Sequence, residues 1–221
     1  MIFCTNLNTS LEVFHLLKHP FYKLWNEGLL KHEILQIYVK EYYHHVSAFP
    51  RYISQIHTLC DKIQARQILL ENLIDEEKGD DNHPELWLRF AEGIGVSRES
   101  IPNFPELVST CKLVEGYLEL VRTDYPTGLG ALYAYERQTP EVAASKIDGL
   151  KKHYGIQDNK TLQFFSVHQE ADKWHTEQLV SLIKSLNKND QQKVFYGAKE
   201  GAKLLWFFLD GMMKMVECHA C

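Results

Sequence analysis

Between Lys160 and Asn187 the residues Phe165, His168, Asp172, His175, Leu179 and Leu182 step by three and four without a break, the period of a helix that turns one face to a core. Three of those core positions, His168, Asp172 and His175, are ionisable. Positions i, i+4 and i+7 fall within about 60° of one another around a helix, so the three side chains converge on one small volume. Buried without partners they would cost several kcal/mol, whereas a divalent cation turns the same burial into binding energy. The chain must therefore pack other helices around a polar, metal-competent stripe.

The rest of the sequence supplies those helices. Every long segment has helical rather than strand period, and the spacing predicts helices over Leu11–Glu27, Lys31–Asp61, Ile63–Glu77, His83–Ile94, Phe104–Thr123, Thr127–Tyr154, Lys160–Asn187 and Gln191–Val216. Gly28, Gly79, Gly95, Pro102, Pro105, Pro126 and Gly155 punctuate them. Pro20, Pro50 and Pro140 fall inside helical patterns, where the missing N–H and the ring clash should kink or break the helix. The fold class is all-α.

Two further stretches carry chemistry, one around Glu136 and one from Leu69 to Phe90. In Leu129, Leu132, Glu136, Pro140, Ala143, Ile147, Leu150, a carboxylate stands in for a core hydrophobe. Upstream, Leu69 and Leu73 lead to Glu76, while Leu70 and Ile74 lead equally well to Glu77, and periodicity alone does not choose between them. After the turn Gly79-Asp80-Asp81-Asn82, His83 opens a stripe continued by Leu86, Trp87 and Phe90. Any one of these residues alone reads as a satisfied core polar group or a surface charge. Together, three carboxylates and three imidazoles on three helical segments suit two non-haem iron or manganese ions between packed helices better than zinc, which favours thiolates or needs fewer protein ligands. The Glu-x-x-His repeat of ferritin-like bundles is absent, which argues for a different helical fold.

Composition narrows the function classes. A chain of 221 residues with 45% hydrophobic content is long enough for one substantial core, and no linker-like stretch divides it, so residues 1–221 read as a single domain. The formal charge of −5, without a basic cluster, lacks the electrostatic footprint of a nucleic-acid binder. Met1 to Asn8 is no signal peptide, and Leu204 to Val216, interrupted by Asp210 and Lys214, is too short to span a bilayer, so a cytoplasmic protein without membrane contact is expected. Cys4, Cys60, Cys111, Cys218 and Cys221 are scattered rather than arranged as a disulfide framework. The Cys218-His219-Ala220-Cys221 spacing reads as a terminal tail.

With these residues in view, the stretches Leu73 to Trp87, Ala131 to Pro140 and His168 to His175 resemble the haem-oxygenase-like di-iron oxidases, the superfamily of the pyrroloquinoline-quinone synthesis protein C and the TenA thiaminases. Within it the likeness is to the branch named for association with death domains. It extends through His19 to Trp25 and Tyr42 to Tyr52, spans about Leu11 to Leu209, and fades in the first ten residues and the tail. The resemblance implies a compact haem-oxygenase-like bundle of about seven to eight helices, commonly a homodimer, with a dinuclear centre (Fe/Fe or Mn/Fe) held by Glu76, His83, Glu136, His168, Asp172 and His175. It implies an oxygenase that takes O2 and an external reductant on a route to 4-aminobenzoate, the folate precursor, with the protein's own Tyr22 as ring source and Lys146 as amino donor. It also admits a death-domain protein as partner. One departure is the Asp80-Asp81 pair before His83, two carboxylates able to compete as oxygen ligands.

Read physically, Tyr22 flanks the stripe Phe14, Leu17, Phe21, Trp25 as an ordinary core aromatic, and Lys146 sits at the edge of the Glu136 stripe as a snorkelling surface lysine. Tyr38, Tyr42, Tyr43, Tyr133 and Tyr135 add phenols that either pack or relay electrons and protons, and the sequence does not rank them. Two rival readings are a metal-independent TenA-like enzyme acting on a small heterocycle, and an interaction module with a dry core.

Overall fold

A computed structural model describes residues 2–219, except the side chains of residues 2 and 170–173. Among the described residues there is no strand, and ten α-helices follow one another: α1 (Ile2–Leu11), α2 (Pro20–Glu27), α3 (His32–Thr58), α4 (Ile63–Glu77), α5 (His83–Gly93), α6 (Val108–Thr123), α7 (Tyr125–Glu136), α8 (Thr139–His153), α9 (Asn159–Lys184) and α10 (Lys188–Cys218). The expected bundle of seven or eight is thus subdivided further: α1 is additional, Pro140 divides one expected helix into two, and Pro20 shortens another. Pro20 falls in the first turn of α2, where His19 caps the helix by accepting the Phe21 N–H at 3.1 Å, and the chain before it winds as two 3-10 turns. Pro140 lies in the first turn of α8, so the single expected helix Thr127–Tyr154 becomes α7 and α8. Pro50, by contrast, is accommodated inside an unbroken α3. Helix α1, apart from its last residue Leu11, precedes every expected segment, yet it buries Leu7 and Leu11 against the core.

The helix starts follow from their caps. Asn82 accepts the Glu85 N–H at 3.0 Å, Asp124 the Thr127 N–H at 2.9 Å and Asp158 the Thr161 N–H at 2.8 Å, so α5, α7 and α9 each begin at a side-chain acceptor. Gly28, at φ 71°, ends α2 in the left-handed conformation that a side chain would resist.

Helix α7 forms the axis of the bundle, buried at every residue from Pro126 to Glu136, as expected of a helix apolar on all sides. It lies backbone to backbone against α10. A Cβ added to Gly130 would meet the Val194 carbonyl oxygen at 2.1 Å, and one added to Gly197 would meet that of Thr127 at 2.0 Å. Around this pair, α6 packs on α7 and α10, α3 on α4, α5 and α6, and α9 on α5, α7 and α8. The C-terminal ends of α4 and α7, the start of α5 and the middle of α9 meet in the interior, and those four places carry the ionisable stripes.

Candidate metal centre

Helix α4 turns Leu69, Asn72 and Glu76 inward, while Leu70, Ile74 and Glu77 are exposed. The register left open by periodicity is therefore the one that buries Glu76. Across the turn, His83 sits in the first turn of α5 because Asn82 caps that helix and Pro84 follows, and its Nδ1 lies 2.7 Å from Glu76 Oε2. His168 of α9 stands beside it with the ring centroids 4.3 Å apart. One donor atom from each of Glu76, His83 and His168 falls within 4.8 Å of the others, close enough for a single ion to join them.

A second group adjoins the first. Glu136, the last residue of α7, places Oε2 3.7 Å from Nδ1 of His175, seven residues beyond His168 on α9. The outer sides of these residues are held. Asn72 donates to Glu136 Oε1 at 2.6 Å, His168 Nδ1 is 2.6 Å from the Phe164 carbonyl oxygen, and His175 Nε2 is 3.0 Å from Asp75 Oδ2. Asp172, expected as a sixth ligand, belongs to the residues whose side chains are not described. Glu76, His83, Glu136, His168 and His175 are each at most 4% exposed, so two carboxylates and three imidazoles are buried together. Carboxylate oxygens with imidazole nitrogens and no thiolate make a donor set that fits non-haem iron or manganese.

Not every buried acid here is of this kind. Glu41 is as deeply buried, but its carboxylate accepts the Leu107 N–H at 3.1 Å and the Thr110 hydroxyl, tying α3 to the first turn of α6. Nor do Asp80 and Asp81 compete for the centre. Arg89 of α5 donates to Asp81 Oδ1 and to the Asp80 carbonyl, each at 2.7 Å, and draws the turn outward.

Beyond His168 lies a cluster of phenols and one amine. Lys146, read from the sequence as a surface lysine, is 4% exposed and projects from α8 into the core. Its Nζ donates to the Tyr38 hydroxyl at 2.8 Å, and that oxygen lies 2.9 Å from the Tyr22 hydroxyl. The rings of Tyr22, Tyr38, Tyr42, Trp87 and Phe165 surround the nitrogen at 5.1–5.9 Å. Loss of hydration brings the lysine down to about 7, so a substantial share of the amine is neutral at physiological pH. The same burial pushes the phenols of Tyr22 and Tyr38 well above their usual range and keeps them protonated.

A cavity of about 20 Å³ lies between this cluster and the carboxylates and imidazoles, lined by Tyr22, Tyr42, Tyr135, Lys146 and His168 among others. Tyr42 donates to Tyr135 at 3.3 Å across it, and Tyr135 and His168 also line a crevice that reaches Glu76 and His83. Of the remaining phenols, Tyr133 points away and donates to Asn8 of α1 at 2.6 Å, and Tyr43 is only half-buried. Sequence reasoning passed over Asn72 and Asp75. Asn72 could have been found, because it lies three residues after Leu69 and four before Glu76 on the inward stripe.

Ten helices around a buried cluster of carboxylates and imidazoles define a class that sequence comparison bears out: the model of the iron-containing redox enzyme family matches residues 36–206, and the chain belongs to that family. Relatives of full length are more specific. The chain is 40% identical over 219 residues to the 4-aminobenzoate synthase of Chlamydia pneumoniae, with 97% of this chain and 96% of the relative covered. It is 37% identical to the 4-aminobenzoate synthase of Nitrosomonas europaea, with 95% and 90% covered. Among solved structures, a domain of unknown function with a haem oxygenase-like fold from Shewanella denitrificans matches at a TM-score of 0.82 and 17% identity, covering 98% of this chain and 92% of that one, a likeness of fold. No described helix is long and apolar enough to cross a membrane.

Proposed function

We propose that this chain is an O2-dependent 4-aminobenzoate synthase with a dinuclear non-haem centre, Fe/Fe or Mn/Fe, that consumes its own Tyr22 as ring source and takes the amino nitrogen from Lys146. The observation that carries the reading is the hydrogen-bonded row Tyr22, Tyr38, Lys146, which faces the metal-competent cluster across a cavity shared with His168. The full-length similarity to 4-aminobenzoate synthases supports the product class.

Glu76, His83, Glu136, His168, Asp172 and His175 would hold the two ions. Bound there, such ions supply the oxidising power of O2 once an external reductant has delivered electrons. The chain's own residues perform the rest. Tyr38 accepts from Lys146 and contacts Tyr22, holding the amine beside the phenol as a neutral nucleophile whose lone pair is available part of the time. The surrounding rings exclude bulk water, and Tyr42 and Tyr135 line the interval between the phenol and the cluster. A space of about 20 Å³ accommodates a water-sized molecule. It does not suit the heterocycle of a TenA-like reaction, since small-molecule pockets run to roughly 300 Å³ and more.

The test is product formation from the purified chain supplied with Fe(II), Mn(II), a reductant and O2. Wild type should release at most one equivalent of 4-aminobenzoate per chain, and Tyr22→Phe, which keeps ring and packing but lacks the phenolic oxygen, should release none while binding metal normally. Lys146→Arg keeps the charge but cannot readily yield its nitrogen, and should also fail. More than one equivalent from wild type, or undiminished product from Tyr22→Phe, rejects the sacrificial role.

A further inference from the structure

One carboxylate at the edge of the centre is not absorbed by this reading. Asp75 immediately precedes Glu76 in the last turn of α4, with its side chain half open to solvent, yet its Oδ2 lies 3.0 Å from Nε2 of the buried His175. The opposite ring nitrogen, Nδ1, faces inward toward Glu136 Oε2 at 3.7 Å. A carboxylate accepts the hydrogen bond here, so the contact places a proton on Nε2, and in the neutral imidazole that ligates a metal Nδ1 is then the nitrogen that offers a lone pair.

The other imidazole of α9 shows the same logic with the nitrogens exchanged. His168 Nδ1 lies 2.6 Å from the Phe164 carbonyl oxygen, also purely an acceptor, which leaves Nε2 to ligate. That acceptor is a backbone group of α9 itself, whereas the one for His175 comes from a side chain on another helix. Asn72, Asp75 and Glu76 stand at i, i+3 and i+4 on α4 and therefore share a face. Asn72 holds Glu136 from behind at 2.6 Å, Asp75 reaches His175, and Glu76 enters the centre.

We propose that Asp75 is a positioning residue, an outer carboxylate that fixes the tautomer and ring orientation of His175 so that Nδ1 is presented to a divalent ion beside Glu136. The proposal rests on the metal-centre reading above. Such outer partners raise the basicity of the imidazole and set its direction, and losing one weakens metal binding by about 10–100-fold. Placement at the solvent rim gives the imidazole an anionic partner without adding a third buried carboxylate to the described centre.

The experiment compares wild type, Asp75→Ala, Asp75→Asn and His175→Ala as full-length metal-free proteins, using Co(II) as the probe. Three quantities are read: Co(II) affinity with the ligand-field spectrum, the neutral tautomer of His175 by 15N NMR before metal is added, and the metal-free melting temperature. Asp75→Ala should bind Co(II) about 10–100-fold more weakly, shift the ligand-field bands, and release His175 from its Nε2-protonated form, with little change in metal-free melting. Asp75→Asn, whose amide oxygen still accepts, should restore most of the affinity and the tautomer. Unchanged affinity and tautomer in Asp75→Ala would overturn the proposal. So would loss of Co(II) in Asp75→Asn as complete as in His175→Ala, which would make Asp75 a ligand. If wild type takes up no Co(II), the metal-centre reading fails by itself, and the tautomer comparison still decides the Asp75 contact: a change in Asp75→Ala upholds it and no change overturns it.

Discussion

Lys146 shows how far a residue's meaning depends on its surroundings. In the unfolded chain it keeps its proton up to about pH 10.5, in the native protein up to about 7, so between those values the unfolded state binds more protons and native stability rises with pH. Below pH 7 the buried ammonium is carried in full and the penalty is greatest. Lys146→Met, similar in bulk and uncharged, should flatten that rise and exceed wild type below pH 7 by roughly 5 kcal/mol at most. Urea unfolding of both proteins from pH 6 to 10 measures this, and parallel curves would refute it. The sequence made Glu136, His168 and His175 legible because each interrupts an apolar stripe at a regular step. It misrepresented Lys146, which lies at a stripe's edge, where a long side chain can reach outward or inward and only the tertiary arrangement of α2, α3 and α8 selects the second. Glu76 and Glu77 were indistinguishable for a related reason, since adjacent helical positions differ by about 100° and both neighbouring faces carried aliphatic residues.

Two helices were readable almost to the residue: the segment expected at Ile63–Glu77 is α4, and that expected at Lys160–Asn187 is α9 at Asn159–Lys184, whose start is set by the Asp158 cap. The departures have definite physical causes. Pro20 and Pro140 sit where a first helical turn tolerates them, so the chain ends one helix and starts another rather than bending. Helix α1 has too few stripe positions to register, and its place depends on contacts with the rest of the fold, such as the Tyr133 to Asn8 hydrogen bond. The contact of α7 with α10 was equally hidden, since a glycine in a helix pattern does not reveal which backbone will touch it. Gly197→Ala should force these helices apart and destabilise by about 1–3 kcal/mol. Because Glu136 ends α7, the same substitution should weaken metal binding at a distance. Calorimetry with a Co(II) titration checks both, and a variant that melts and binds like wild type would show that the close approach is dispensable.

At the scale of the whole molecule, the centre ties α4, α5, α7 and α9 together, so loading it should bind those elements to one another. Reconstituted protein is expected to hold about two transition-metal ions per chain and to melt at a higher temperature than the metal-free form. His175→Ala should lose metal while remaining helical, which elemental analysis and circular dichroism together test. Fewer than about half an equivalent in reconstituted wild type would refute the centre. Tyr22 itself is 2% exposed, wedged among Phe21, Trp25 and Tyr38. If its ring departs as product, the chain left behind is in effect a truncation mutant at the middle of its own core, with a void where an aromatic side chain stood. Removing a buried aromatic group destabilises by about 3–5 kcal/mol, a large part of the roughly 5–15 kcal/mol that holds a domain folded. A spent molecule should therefore melt well below an unused one and be the better protease substrate, so that one firing also marks the chain for disposal and its amino acids for reuse.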